Sequence, residues 1–468
     1  AKYDYAQFFK DWWQRDVDSM VLRDRNHPSV IAWGIGNEIP EAWTPEGAPI
    51  AKQLGARVRS LDSTRPVTEA FPGATYTAST DAVMSELDIS GYNYNLKQNQ
   101  GKDHERVPNR IMMTTESLPS AAFDNWKLTH EHPYILGEFV WTAMDYLGES
   151  GIGSWSYATP EQAGQAVQVA AAMSQMMANM GADGKNPFEA LQQPQNGQPN
   201  PAAAMMKFMF PGFPWHASYS GDLDLTGYRK PGSYYRDILW NGGDRVFASV
   251  RLPEPEGKKI VSIGWSVYPT LPSWTWPGCD GKDMQVEVYS GTEKVRLYLN
   301  DKLIGEMPTS PEQQRKALFT VPYAPGTLKV AGVNGDREVA TSVLQTTGDP
   351  VRLRLTADRN VLHADGEDLS FITVEAVDAQ GRLQPNTSAE VQFTLSGPGT
   401  LIAVGNGDGT SREAYQGDHR ALFNGRALIV VRSSRIPGRV RLSANATAMT
   451  TAETSIETER TNAMAELP

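Results

Sequence analysis

Three glutamates carry most of the chemistry this chain could do. Glu38 closes the stretch Arg25-Asn26-His27-Pro28-Ser29-Val30-Ile31-Ala32-Trp33-Gly34-Ile35-Gly36-Asn37-Glu38. Its apolar run from Val30 to Ile35 reads as a buried strand that ends in an amide beside a carboxyl. A strand that is apolar to its tip and then acidic is how a parallel barrel brings an acid to its reactive rim. Glu116, in Thr114-Thr115-Glu116-Ser117, lies 78 residues further on. Glu138, in Gly137-Glu138-Phe139-Val140-Trp141, lies 100 residues beyond Glu38. Two carboxyls that face each other can divide labour. Burial and a neighbouring anion keep one protonated as a donor, and hydrogen-bond donors keep the other ionised as a nucleophile. Position along the strand separates the two possible partners of Glu38. Glu116 ends its strand, whereas Glu138 precedes several more strand-like residues and sits low, where a hydrogen-bonded core carboxyl is expected. Tyr94, at the tip of the preceding strand, can offer its hydroxyl to Glu116, and Tyr92 on the same face is the lesser candidate.

These tips need a scaffold, and the chain repeats one. After Glu38, strand-like segments recur at Arg65 to Phe71, Leu87 to Tyr94, Ile111 to Ser117 and Tyr134 to Tyr146, with helical stretches between them. Tips spaced by 33, 23, 23 and 25 residues suit βα units of a parallel sheet. Upstream, Phe8, Phe9, Trp12, Trp13, Val17, Met20 and Val21 recur at helical spacing. The stretch 181–214, rich in Asn, Gln, Pro and Gly, reads as a long surface excursion, and Ser233 to Trp240 as a last barrel helix. From about residue 248 the period changes to two. Val286-Glu287-Val288-Tyr289 and Val295-Arg296-Leu297-Tyr298-Leu299 alternate, a turn falls at Asn300-Asp301, and a second all-β stretch opens at Val351. Each stretch is about a hundred residues of short strands, which suits an immunoglobulin-like sandwich. The expected division is barrel 1–247, sandwiches 248–347 and 348–458, and a polar tail 459–468.

Bulk properties exclude several classes. With 43 basic and 54 acidic residues the net charge is −11, which argues against a nucleic-acid partner. Cys279 is the only cysteine, so neither an intrachain disulfide nor a thiolate metal site is available. Seven histidines are scattered without a His-Glu-x-x-His helix or a spaced ligand set, so no metal is assigned. His27 reads as structural, and His104, in the loop after the Tyr94 strand, as a possible substrate contact. No run of eighteen apolar residues predicts a membrane span. Gly405-Asn406-Gly407-Asp408-Gly409 is glycine-rich, but no helix follows it and it reads as a turn.

The segment from Arg25 to Glu38 resembles the acid/base segment of glycoside hydrolase family 2. Val286 to Gly305 and Leu401 to Asp408 resemble accessory and terminal sandwiches of the same enzymes. The resemblance implies an α/β plus all-β chain. It would hold the C-terminal five units of a (β/α)8 TIM barrel, with strands one to three upstream of residue 1, followed by two immunoglobulin-like β-sandwiches. A barrel short of three strands exposes sheet edges and apolar helix faces, so we expect a fragment or a cleavage product whose missing N-terminal part is its partner. Family members carry acid/base and nucleophile on strands four and seven, which selects Glu38 and Glu116. Retention requires the two carboxyls to lie roughly 5–5.5 Å apart. The resemblance further places Asn37 at the sugar 2-hydroxyl, Tyr94 as a donor to the nucleophile, and Trp141 along the −1 subsite. Asp145 and Glu149 could reach sugar hydroxyls or lie in a solvated loop. The expected activity is retaining, exo-acting hydrolysis of terminal β-D-galactosides or oligosaccharides. The alternatives are a β-glucosidase, β-mannosidase, arabinosidase or β-glucuronidase relative, or a carbohydrate-binding module with an inactive barrel. Relatives that take uronates read the carboxylate with Asn-x-Lys after the last strand, and none occurs between Trp141 and Trp240. No cofactor is implied, although a bound cation is not readable from sequence. A homo-oligomer is possible, and a bacterial periplasmic or secreted location is favoured over a cytoplasmic one.

Overall fold

A computed structural model describes residues 5–72, 78–179, 212–262 and 264–460. The predicted excursion therefore lies outside the described residues for all but 212–214, as does most of the predicted tail. No helix of the described residues is long and apolar enough to cross a membrane. Two units divide the chain: Ala1–Thr142, Trp155–Met209 and Gly257–Ser266 form one, and Ala143–Ser154, Phe210–Glu256 and Val267–Pro468 form the other.

The first unit is the parallel α/β sheet that the strand rhythm predicts. Its strands are β1 (Trp33–Asn37), β2 (Val67–Phe71), β3 (Ile89–Asn93), β4 (Met112–Ser117) and β5 (Ile135–Val140), adjacent in chain order. Every neighbouring pair is parallel. Helices α1 (Ala6–Asp24), α2 (Gly47–Leu61), α3 (Ala78–Met84), α4 (Leu96–Arg106) and α5 (Ala122–Glu131) precede, separate and cover the strands. Alternation along the strands sends Phe71, Tyr92, Met112 and Ile135 to the helix side, where they bury against Ala51, Val83, Met84 and Leu96. A second cluster joins Val21 of α1 and Val58 of α2 to Trp33 and Val67.

Two boundaries differ from the reading above. β1 starts at Trp33 rather than Val30 because the Arg65 guanidinium takes the Val30 carbonyl at 2.7 Å in place of a ladder partner. The predicted strand Tyr134 to Tyr146 stops at Val140. Tyr146–Leu147 instead pairs antiparallel with Ala217–Ser218 in the other unit.

The second unit holds two β-sandwiches, antiparallel save for Val361–His363, which runs parallel to Ala452–Glu459 in the second. In the first, strands Val246–Arg251, Asp283–Ser290 and Lys316–Pro322 face strands Lys294–Leu299, Thr327–Asn334 and Arg337–Gln345. Val250, Val286 and Phe319 of one sheet meet Leu297, Val330 and Leu344 of the other, with Trp274 fully buried among them. Asn300 and Asp301 both take positive φ, 50° and 63°, as a two-residue hairpin turn requires. In the second sandwich, Leu369–Val377 and Arg426–Ser433 pack Ile372, Val374 and Ile429 against Phe393, Leu442 and Ile456 of the opposite sheet. Helix Pro231–Asn241, expected as the last barrel helix, forms at that place in the sequence.

Candidate active site

Each strand that carries a candidate residue slips register just before its tip. The ladder shifts between Gly34 and Asn37 on β1, between Gly91 and Asn93 on β3, and between Thr114 and Ser117 where β4 meets β5. Bulges of this kind re-aim side chains at sheet rims. Beyond two of them the backbone enters the left-handed region, with φ 52° at Glu38 and 63° at Tyr94. Neither residue is glycine, so both conformations cost energy and must be imposed by their surroundings. The neighbouring tips impose them: Glu38 N–H donates to the Ala70 carbonyl at 2.9 Å, and Tyr94 N–H to the Glu116 carbonyl at 2.8 Å. Trp141 N–H closes the series on the Ser117 carbonyl at 3.0 Å.

The side chains then form one network. Asn93, fully buried, donates its amide to Glu38 Oε1 at 2.9 Å and to Asn37 Oδ1 at 3.2 Å. Thr115 Oγ1 donates to Asn93 Oδ1 at 2.7 Å, which fixes the amide with its N–H groups toward Glu38. Tyr94 donates its hydroxyl to Glu116 Oε2 at 2.6 Å. Burial pushes the Glu38 carboxyl above its ordinary pKa; the Asn93 amide opposes that rise, and the Glu116 charge adds to it. Burial, the bond to Glu116 and its charge likewise push the Tyr94 phenol upward, so it remains a donor. The arrangement thus has a carboxyl whose proton is held more tightly than usual beside a second carboxyl that accepts a short hydrogen bond. That is the pairing required for proton donation and nucleophilic attack at a single carbon. Among the described residues no group of three or more His, Cys, Asp or Glu side chains is placed to hold a metal ion.

Other predicted participants lie elsewhere. Glu138 Oε2 accepts from Ser117 Oγ at 2.9 Å and from Asn125 Nδ2 at 2.8 Å, a tie between β5, β4 and α5. Tyr92 does not share a face with Tyr94, because the slip at Asn93 intervenes; its hydroxyl goes to Asp103 of α4 at 2.7 Å. His104 sits in α4 rather than a loop, stacked on Tyr134 with ring centres 3.7 Å apart. In the second unit Asp145 is buried and takes Lys230 Nζ at 2.8 Å and the Gly221 N–H at 2.7 Å, and Glu149 accepts the Tyr146 hydroxyl.

Three residues of the network escaped the sequence reading: Asn93, Thr115 and Trp265. Asn93 had a usable signal, since it immediately precedes Tyr94 at a strand tip. Trp265 had none. Its indole N–H donates to the Tyr94 hydroxyl oxygen at 3.0 Å, and its ring meets Trp141 edge-on at 5.7 Å.

Comparison with known proteins agrees with this construction. The model of the glycosyl hydrolase family 2 TIM barrel domain matches residues 6–159, and that of the family's C-terminal domain 5 matches 353–455. A domain family of unknown function matches 281–340. The chain is 27% identical to a β-galactosidase of Bacteroides ovatus, over 98% of this chain and 53% of that protein. It is 23% identical to a putative β-glucuronidase of Formosa agariphila, over 92% of this chain and 39% of that protein. A solved glycosyl hydrolase family 2 structure from Bacteroides cellulosilyticus superimposes with a TM-score of 0.82 at 34% identity, covering 98% of this chain and 53% of that one. The chain therefore spans about half the length, or less, of the relatives it matches.

Proposed function

Since the chain belongs to glycoside hydrolase family 2, we propose that it acts as a retaining, exo-acting β-glycosidase on terminal β-D-galactosides. The observation that carries this reading is the pairing of a half-buried Glu38, its pKa raised, with Glu116 under the Tyr94 hydroxyl. Glu38 gives its proton to the glycosidic oxygen while a Glu116 oxygen attacks the anomeric carbon; the aglycone leaves as an alcohol and a glycosyl ester remains. Glu38, now ionised, takes a proton from water, whose oxygen displaces Glu116 and restores both carboxyls. Asn37, exposed beside the acid, is assigned to the sugar 2-hydroxyl, and Trp141 to the apolar face of the ring. No cofactor is needed, because the carboxyls supply both proton and nucleophile.

A galactoside is favoured over a uronate by the absence of Asn-x-Lys between Trp141 and Trp240. Lys230 of that region, half-buried, is also already paired with the buried Asp145. The test uses the full-length enzyme on a panel of nitrophenyl β-glycosides, followed by Glu116→Ala with a dinitrophenyl β-galactoside and azide. Turnover of the galactoside above the glucoside, mannoside and glucuronide, with rescue of the variant as the α-galactosyl azide, is expected. Binding of every sugar without turnover would turn the reading toward a carbohydrate-binding module. Azide rescue of Glu138→Ala in place of Glu116→Ala would reverse the nucleophile assignment.

A further inference from the structure

The residue that holds the nucleophile's tyrosine in place comes from outside the five βα units. Strand Lys259–Ser262 pairs antiparallel with Trp155–Ala158, from Lys259 opposite Ala158 to Ser262 opposite Trp155. This two-stranded pairing delivers Trp265, 149 residues beyond Glu116, to the strand tips. The half-buried indole stands edge-on to the Tyr94 ring, with centres 5.7 Å apart and planes at 86°, and also edge-on to Trp141. Its Nε1 lies 3.0 Å from the Tyr94 oxygen.

We propose that Trp265 is a positioning residue for the nucleophile, acting through Tyr94 to keep that hydroxyl's proton on Glu116. The donor inventory carries the argument. An indole N–H can only donate, so at the Tyr94 oxygen it occupies an acceptor site and leaves the phenol's single proton free for Glu116. A hydroxyl that accepts one hydrogen bond also donates a stronger one, because each polarises the other at low dielectric. The Glu116 carboxylate is thereby held in one rotamer and supplied with one strong donor. The Trp265 bond also acts on the Tyr94 phenol in the opposite direction to burial and the two carboxyls, as expected for a donor that polarises it.

This inference rests on the assignment of Glu116 as nucleophile, and two readouts keep the two claims apart. The first needs no substrate. In the full-length enzyme labelled with 15N-tryptophan, the indole N–H that disappears in Trp265→Phe should shift and lose its exchange protection in Tyr94→Phe. An unchanged resonance overturns the proposal even if no glycoside is turned over. The second is kinetic. Trp265→Phe keeps an aromatic ring and loses only the N–H, so kcat/KM should fall about tenfold with KM nearly constant. The acid-side limb of the rate profile should move to higher pH. Combining Trp265→Phe with Tyr94→Phe should be no worse than Tyr94→Phe alone. A raised KM with unchanged kcat and an unmoved acid limb would make Trp265 a substrate contact instead. Losses that multiply in the double variant would likewise overturn the coupling.

Discussion

Glu69 is a buried carboxyl that no cation among the described residues pairs with, and replacing it tests the electrostatics of the sheet beneath the site. It lies on β2, is 1% exposed, and its Oε1 has no hydrogen-bond partner among the described residues. Gly36, two residues before Glu38, makes the room: a Cβ there would stand 3.1 Å from Glu69 Cδ. Burial first, and then the nearby Glu41 charge, raise the Glu69 pKa from 4.5 to about 7. Because the raised value belongs to the folded state, that state holds more protons than the unfolded chain between these limits. Stability contributed by the neutral acid is complete below 4.5, falls as pH rises toward 7, and is lost above it. At about 1.4 kcal/mol per pKa unit, the loss is of the order of 3 kcal/mol. Glu69→Gln keeps the shape and removes the titration. Urea unfolding of both proteins at pH 5, 6, 7 and 8 isolates the effect, since any fixed cost of the amide is equal at every pH. The variant should gain about 2–3 kcal/mol on the parent between pH 5 and pH 8. Parallel curves for the two proteins would show that Glu69 is ionised throughout and that the burial argument fails.

Glu38→Ala should remove the alkaline limb of kcat/KM, because activity requires the raised Glu38 carboxyl to be protonated and is lost as pH rises through its pKa. With an alkyl aglycone the rate should drop about 10²–10⁴-fold, while glycosylation by a dinitrophenyl glycoside is spared; equal losses on both leaving groups would deny Glu38 the acid role. Glu138→Ala strips the acceptor from Ser117 and Asn125, both nearly buried, and should lower stability by about 1–3 kcal/mol. Chemical denaturation measures that loss, and a variant as stable as the parent would contradict the tie between β4, β5 and α5.

What could be read from sequence was whatever depends on local pattern. Apolar runs ending in Glu38, Tyr94 and Glu116 announced strand tips, because side-chain burial and chain spacing are written along the segment itself. The sandwich strands were legible for the same reason, through period-two alternation and the Asn300-Asp301 turn. Quantities set by the ladder were not. The slip between Gly91 and Asn93 separates Tyr92 from Tyr94, so a strict alternation places both on one face when they are on two. Nor was the pairing of Tyr146–Leu147 with Ala217–Ser218, seventy residues away in sequence, legible in a pattern that merges Tyr146 with β5. Trp265 could not be found at all: a tryptophan in a loop after a short strand carries no mark of the strand tip it reaches.

The same distinction explains why two residues of the site, the acid Glu38 and the donor Tyr94, take an unfavourable backbone. Glu38 and Tyr94 adopt φ of 52° and 63°, a conformation that costs a side-chain-bearing residue of the order of 1 kcal/mol or more. Neither β1 nor β3 alone has reason to adopt it. Each is held by a bond to the next tip, Glu38 by Ala70 and Tyr94 by Glu116, so the strain is balanced by the pairing of strands and not by either strand itself. The bond from Tyr94 N–H joins the donor to the residue it serves through backbone as well as side chain, since the Tyr94 hydroxyl and amide both end on Glu116. Movement of β4 against β3 would therefore disturb both links together, and the placement of Glu116 is a property of the sheet.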